Sequence, residues 1–65
     1  MRCRLRMIMV EQGRTQKWLG EKVGASNRTI SEIINEKREP TLKIALRIAK
    51  AIEEPVEKIW WEEEN

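Results

Sequence analysis

The sequence predicts an all-α fold of five helices, and three observations carry that expectation. Thr15, Ser26 and Thr41 each stand directly before a stretch of helical apolar spacing, where a hydroxyl accepts an otherwise unpaired backbone N–H. Gly13 and Gly24 follow the first two helical stretches, where a helix end often needs positive φ and Gly supplies it without a Cβ penalty. With 65 residues, the chain buries only about 60% of its unfolded surface, and helices with local contacts are the easiest solution at that size.

Arg2 to Gln12 reads RCRLRMIMVEQ, with Leu5, Ile8 and Val10 or Met9 on one helical stripe, and Gly13 ends it. Met1 to Arg4 alternate apolar and basic, which allows a short extended segment ahead of the helix. Thr15 to Asn35, TQKWLGEKVGASNRTISEIIN, reads as a helix, a tight turn and a second helix. The first runs from Gln16 to about Val23, with Leu19 and Val23 on one face. The second covers about 26–35, with Ser26 as its cap and Ile30 and Ile33 as its apolar stripe. Gly20 lies inside the first helix, where it costs roughly 1 kcal/mol relative to Ala. A glycine kept there suggests that another backbone passes close by.

Asn35 to Pro40, NEKREP, is a polar loop. Thr41 caps the next helix, Leu42 to Ile52, whose expected core face is Leu42, Ala45, Leu46, Ala49 and Ile52. Ile44, Ile48 and Ala51 form a neighbouring stripe, so the apolar surface is wider than a small monomer needs. Pro55 suits the start of a short last helix, because its missing N–H would be unpaired there anyway, and Val56 and Ile59 would point inward. Trp60 and Trp61 are adjacent and cannot both face one core. One should cap the core and the other needs a second partner.

This frame resembles the helix-turn-helix of the Cro/cI-type, or XRE-type, DNA-binding regulators. The resemblance rests on Gln16, Leu19, Gly20, Val23, Gly24, Ala25, Ser26, Ile30 and Ile33 within the motif, 15–35. Outside it, Leu5, Ile8 and Gly13, the loop Lys37-Arg38-x-Pro40, and Leu42, Leu46, Ile48, Ala49, Ile52, Ile59 and Trp60 fit the flanking helices. It implies one Cro/cI-repressor-like domain over 1–65, in which a small residue at Gly20 lets the motif helices cross closely. Small members of the family can add a strand after the last helix, pair it with the N-terminal residues and dimerise there. The chain departs from the family at several positions. Met9 and Ile34 replace an Arg and a Glu that pair in the family, and a buried ion pair can be exchanged for packed apolar residues at little cost. The two are therefore expected to touch. Glu36 and Glu53 stand where Gly is usual, so Glu36 is strained if its site needs positive φ, unless the loop takes another path. Trp18 occupies a position that is generally polar, and Arg14 one that is generally apolar.

The resemblance implies a sequence-specific, double-stranded-DNA-binding transcription regulator, expected to be a dimeric repressor at a near-palindromic operator. At 100° per residue, Asn27, Arg28, Ser31, Glu32 and Asn35 fall within about 140° of one another, with Ile30 and Ile33 turned away. A helix lying in the major groove needs that division of faces. Asn27, Arg28, Ser31 and Glu32 are the expected base readers. Arg28 suits guanine O6 and N7, and Asn27 suits adenine or a phosphate. Glu32 could accept from cytosine N4 or repel the DNA backbone; equally, it could be a solvated charge or an orienting partner for Arg28. Expected phosphate contacts are Gln16, which grips a phosphate in the family, together with Arg14, Lys17, Thr29, Asn35, Lys37 and Arg38. Ile44, Ile48, Trp60 and Trp61 are expected at the dimer interface, with Met1–Arg4 free to pair beside Trp60–Glu62.

The charge distribution agrees with a polyanionic partner. Residues 1–50 carry 12 Lys/Arg against 5 Glu, a net +7, whereas 51–65 carry one Lys against 6 Glu, a net −5. The acidic end should face away from DNA. A lone thiol, Cys3, and no His argue against a structural zinc site and fit a reducing cytosol. No apolar run reaches the roughly 18 residues of a membrane span, and no apolar stretch follows the basic start as in a signal peptide. A cytoplasmic protein is expected, without cofactor, metal or small-molecule ligand. No paired acids or activated nucleophile suggest an enzyme. The alternative function is an antitoxin that neutralises a toxin and autoregulates its operon. Such proteins usually carry an extra toxin-binding segment, of which this sequence shows almost nothing.

Overall fold

The computed structural model describes residues 1–63. Along the chain run strand β1 (Arg2–Cys3), helices α1 (Leu5–Gln12), α2 (Gln16–Val23), α3 (Asn27–Ile34), α4 (Leu42–Ile52) and α5 (Val56–Ile59), and strand β2 (Trp60–Trp61). The five helices agree with the sequence expectation. The extended segment at the N-terminus becomes a strand paired within the chain, antiparallel to β2, with Arg2 opposite Trp61 and Cys3 opposite Trp60. The pairing is extended by the Arg4 N–H, which donates to the Ile59 carbonyl at 2.8 Å.

The expected caps form. The hydroxyls of Thr15, Ser26 and Thr41 accept from the backbone N–H of Trp18, Thr29 and Ile44, at 3.0, 3.1 and 3.2 Å. Gly13 and Gly24 end α1 and α2 at φ of 67° and 74°. Two acidic residues do the same elsewhere: Glu36 follows α3 at φ 62°, and Glu53 ends α4 at φ 58°. The Gln12 amide adds a tertiary cap to α4 by donating to the Ile52 carbonyl at 2.8 Å. Gly20 has the close neighbour that its position suggests, since a Cβ there would lie 2.8 Å from the Ala25 carbonyl oxygen. The absent side chain lets the turn cross α2 and fixes how α3 is presented.

One core gathers Leu5, Ile8 and Met9 from α1, Leu19 and Val23 from α2, and Ile30, Ile33 and Ile34 from α3. Ala45, Ile48 and Ile52 of α4, with Ile59 and Trp60, complete it. Met9 and Ile34 are both buried in that core, where the family has its ion pair. The α4 helix departs from expectation. Leu42 and Leu46, expected on its core face, are 73% and 54% exposed, whereas Ile48 is fully buried. Ala45 and Ile52 are buried as expected, so the inward face is turned toward Ile48 and away from Leu42 and Leu46. How far it turns follows from where α2 and α5 sit, which helical periodicity does not encode.

The tryptophan pair divides as expected. Trp60 is buried beside the core, and Trp61 lies on the surface with the Arg4 guanidinium 5.3 Å from its ring centroid. Glu62 and Glu63 of the acidic end are exposed. Glu64 and Asn65 lie outside the described residues.

Candidate nucleic-acid interface

The α3 helix is held by its apolar side and offers the other to solvent. Ile30, Ile33 and Ile34 are buried; Asn27, Arg28 and Asn35 are exposed; Ser31 and Glu32 are half-buried between them. The face anticipated from helical periodicity is therefore the one left open, but its side chains are not independent. The Glu32 carboxylate bridges two cations: Arg28 Nε lies 3.6 Å from Oε2, and Arg38 Nε lies 3.1 Å from Oε1. Oε1 is shielded from solvent and its contact with Arg38 is an ion pair without hydrogen-bond alignment. The carboxylate thus stands within ion-pair distance of both Arg28 and Arg38. The Arg28 side chain stays 88% exposed.

The C-terminal end of α3 is braced from outside. Asn35 Nδ2 donates to the Ser31 carbonyl at 2.9 Å and reaches Ser31 Oγ at 3.4 Å, while Asn35 Oδ1 accepts from Arg6 Nη2 on α1. Arg6 has no signal in the sequence, because only the tertiary approach of α1 brings it to α3. One residue further, Glu36 Oε2 accepts the Cys3 N–H at 2.7 Å and sits 3.3 Å from Arg2 Nε. The strained residue that follows α3 thus ties that helix to the outer edge of β1.

At the start of α3, Thr29 Oγ1 accepts from Ser26 Oγ at 2.9 Å, so its hydroxyl serves the cap. Gln16 is half-buried at the first position of α2, and Lys17, Lys37 and Arg38 are exposed. Arg14 lies across Trp18, its guanidinium 4.2 Å from the ring centroid. That stacking explains why this chain carries Arg and Trp at two positions where the family pattern differs.

The expected dimer residues separate into two groups. Ile48 and Trp60 are buried in the core of this chain, at 0% and 6% exposure. Ile44 is half-buried and Trp61 is exposed. The apolar side chains that α4 presents to solvent are Leu42 and Leu46.

Cys3 is half-buried in the short sheet. Burial pushes its thiol above the ordinary range and the nearby Glu36 carboxylate adds to that, partly offset by the Leu5 N–H and the Trp60 side chain. Among the described residues, no group of three or more His, Cys, Asp or Glu could hold a metal ion. No helix among them is long and apolar enough to cross a membrane.

Two capped helices crossing at a glycine, with the second displaying a polar and cationic face, define a helix-turn-helix DNA-binding domain. The helix-turn-helix family model HTH_3 matches residues 5–59, and the chain belongs to this family of XRE-type DNA-binding regulators. The chain is similar to YgzD of Bacillus subtilis (strain 168), described as an uncharacterised HTH-type transcriptional regulator, at 35% identity over the full length of both proteins. It is also similar to an uncharacterised HTH-type transcriptional regulator of Archaeoglobus fulgidus, at 33% identity over 92% of this chain and 86% of the relative. Family membership assigns it a DNA-binding regulatory role.

Proposed function

We propose that this chain, as one helix-turn-helix domain, is a cytoplasmic repressor that binds a near-palindromic operator as a homodimer. The observation that carries the reading is the outward face of α3, where an exposed Arg28, with its Nε 3.6 Å from the Glu32 carboxylate, stands beside an exposed Asn27. Arg28 donates to guanine, Asn27 reads the neighbouring step, and Ser31 lies between them. Glu32 orients Arg28 rather than reading a base. Gln16, Lys17, Thr29, Asn35, Lys37 and Arg38 surround that face as phosphate contacts, which set register without reading sequence.

The dimer is proposed through the exposed apolar residues Leu42 and Leu46, with Ile44 and Trp61 at its margin. Two-fold pairing would set two recognition helices about one DNA turn, roughly 34 Å, apart. A domain this small binds one half-site weakly, and linking two raises the effective concentration of the second contact.

The operator is obtained by selecting bound duplexes from a random pool. On the selected site, Arg28→Ala is expected to cost about 1–3 kcal/mol and to relax specificity at one or two base pairs, whereas Lys37→Ala weakens all sequences alike and lowers the salt slope by about one. Equal losses on matched and mismatched duplexes for Arg28→Ala would remove the base-reading role. Sedimentation equilibrium at micromolar concentration tests the dimer. A monomer that binds an isolated half-site as tightly as a palindrome would refute it.

A further inference from the structure

On the side of α2 away from α3, the molecule carries a groove of about 580 Å³ between α2 and α4. Its lining is Arg14, Trp18, Lys22, Arg47 and Lys50, with Ala51 and Glu53 at the margin. Trp18 and Gly20 are two residues apart, about 200° around the helix. Gly20 faces Ala25 and Ile30, so Trp18 opens on the opposite side from the recognition helix. The side chains here are largely pre-set. Arg14 stacks on the Trp18 ring, and Arg47 Nη1 donates to the Val23 carbonyl at 3.2 Å. Among the described residues, none of the four cations has a carboxylate within 4.0 Å, as holds for every Lys and Arg except Arg2, Arg28 and Arg38. The acid of the groove, Glu53, is not paired with them.

Small-molecule pockets are lined mostly by apolar side chains. This groove has one indole and one alanine among charges, which suits an extended chain lying along the surface. Trp and Arg are the residues that most often anchor protein–protein contacts, and unpaired cations favour an acidic partner and steer its approach. A duplex lying on α3, as in the function proposed above, would be on the other side of α2. We propose that this groove docks an acidic segment of another protein, with its carboxylates meeting Lys22, Arg47 and Lys50 and an apolar side chain lying on Trp18 beside Arg14. The chain would then hold DNA with α3 and a protein partner with the α2–α4 side at the same time. The assignment does not depend on the dimer or on which DNA sequence is read.

The test uses a blocked hexapeptide, Glu-Glu-Phe-Leu-Glu-Glu, titrated into the isotopically labelled full chain at low salt, with the Trp18 indole N–H assigned through Trp18→Phe. The shifts are expected at Trp18, Lys22, Arg47 and Lys50. The double variant Lys22→Gln, Lys50→Gln, which changes two exposed side chains, should weaken the peptide by about fivefold or more, while affinity for the selected duplex, measured near physiological ionic strength where distant charges are screened, changes by less than about threefold. The Lys analogue of the peptide should not bind. Three outcomes each overturn the proposal. They are no shift at Trp18 up to millimolar peptide, shifts confined to the Asn27–Asn35 face, and parallel loss of duplex and peptide, which would make the groove an accessory DNA contact.

Discussion

Glu36 offers a test of how α3 is anchored, because its backbone and side chain act in opposite directions. At φ 62° an L-residue with a side chain is disfavoured by roughly 1–2 kcal/mol, reduced to about 1 against Gly once the greater unfolded freedom of Gly is counted. Its carboxylate repays this by accepting the Cys3 N–H at 2.7 Å. A hydrogen bond to a charged acceptor contributes about 1.5–3 kcal/mol, and the lower end applies at a site where water can replace the lost partner. The Arg2 contact adds little, since the Arg2 side chain is 51% exposed. Glu36→Ala keeps the strain and loses the bond, so it should cost about 1.5 kcal/mol. Glu36→Gly loses the same bond but relieves the backbone, for a net cost of about 0.5 kcal/mol. In a domain of this size those values correspond to falls in Tm of roughly 6–12 °C and 2–4 °C. Urea and thermal melts followed by circular dichroism measure both, and faster exchange of the Cys3 amide in each variant reports the lost tether. Equal stability of the Ala and Gly variants would refute the backbone argument. An Ala variant as stable as the parent would refute the tether.

Two further outcomes follow from the core and from the short sheet. Met9→Arg places an unpaired charge in the core and should cost about 3 kcal/mol or more, and adding Ile34→Glu should recover much of it. Strictly additive losses in a urea-melt cycle would mean that the two side chains do not meet. Burial raises the Cys3 pKa, so the folded chain keeps a proton that the unfolded chain loses near pH 8.5. The associated stability is complete below that pH and declines as pH rises past it. Urea midpoints between pH 7 and 9.5 should therefore fall less for Cys3→Ser than for the parent.

Local sequence suffices for whatever depends on a few neighbouring residues. The caps at Thr15, Ser26 and Thr41, the turns at Gly13 and Gly24, and the close crossing at Gly20 are properties of local hydrogen bonding and of a missing Cβ, and each is legible in a single turn of chain. The outward face of α3 is likewise legible, because Ile30 and Ile33 leave it no other orientation. Long-range packing separates choices that local rules leave equal. On α4 two adjacent apolar stripes have the same periodicity, and the packing of neighbouring elements buried Ile48 and left Leu42 and Leu46 outside. The Arg6–Asn35 and Glu36–Cys3 contacts join residues 29 and 33 positions apart, a separation over which no spacing rule operates. The groove at Trp18 depends on Arg47 and Lys50 arriving from a different helix. Side-chain periodicity assigns a residue to one side of its own helix. What that side meets is set by the closure of the chain around a shared core, and the charged clusters of this protein are products of that closure.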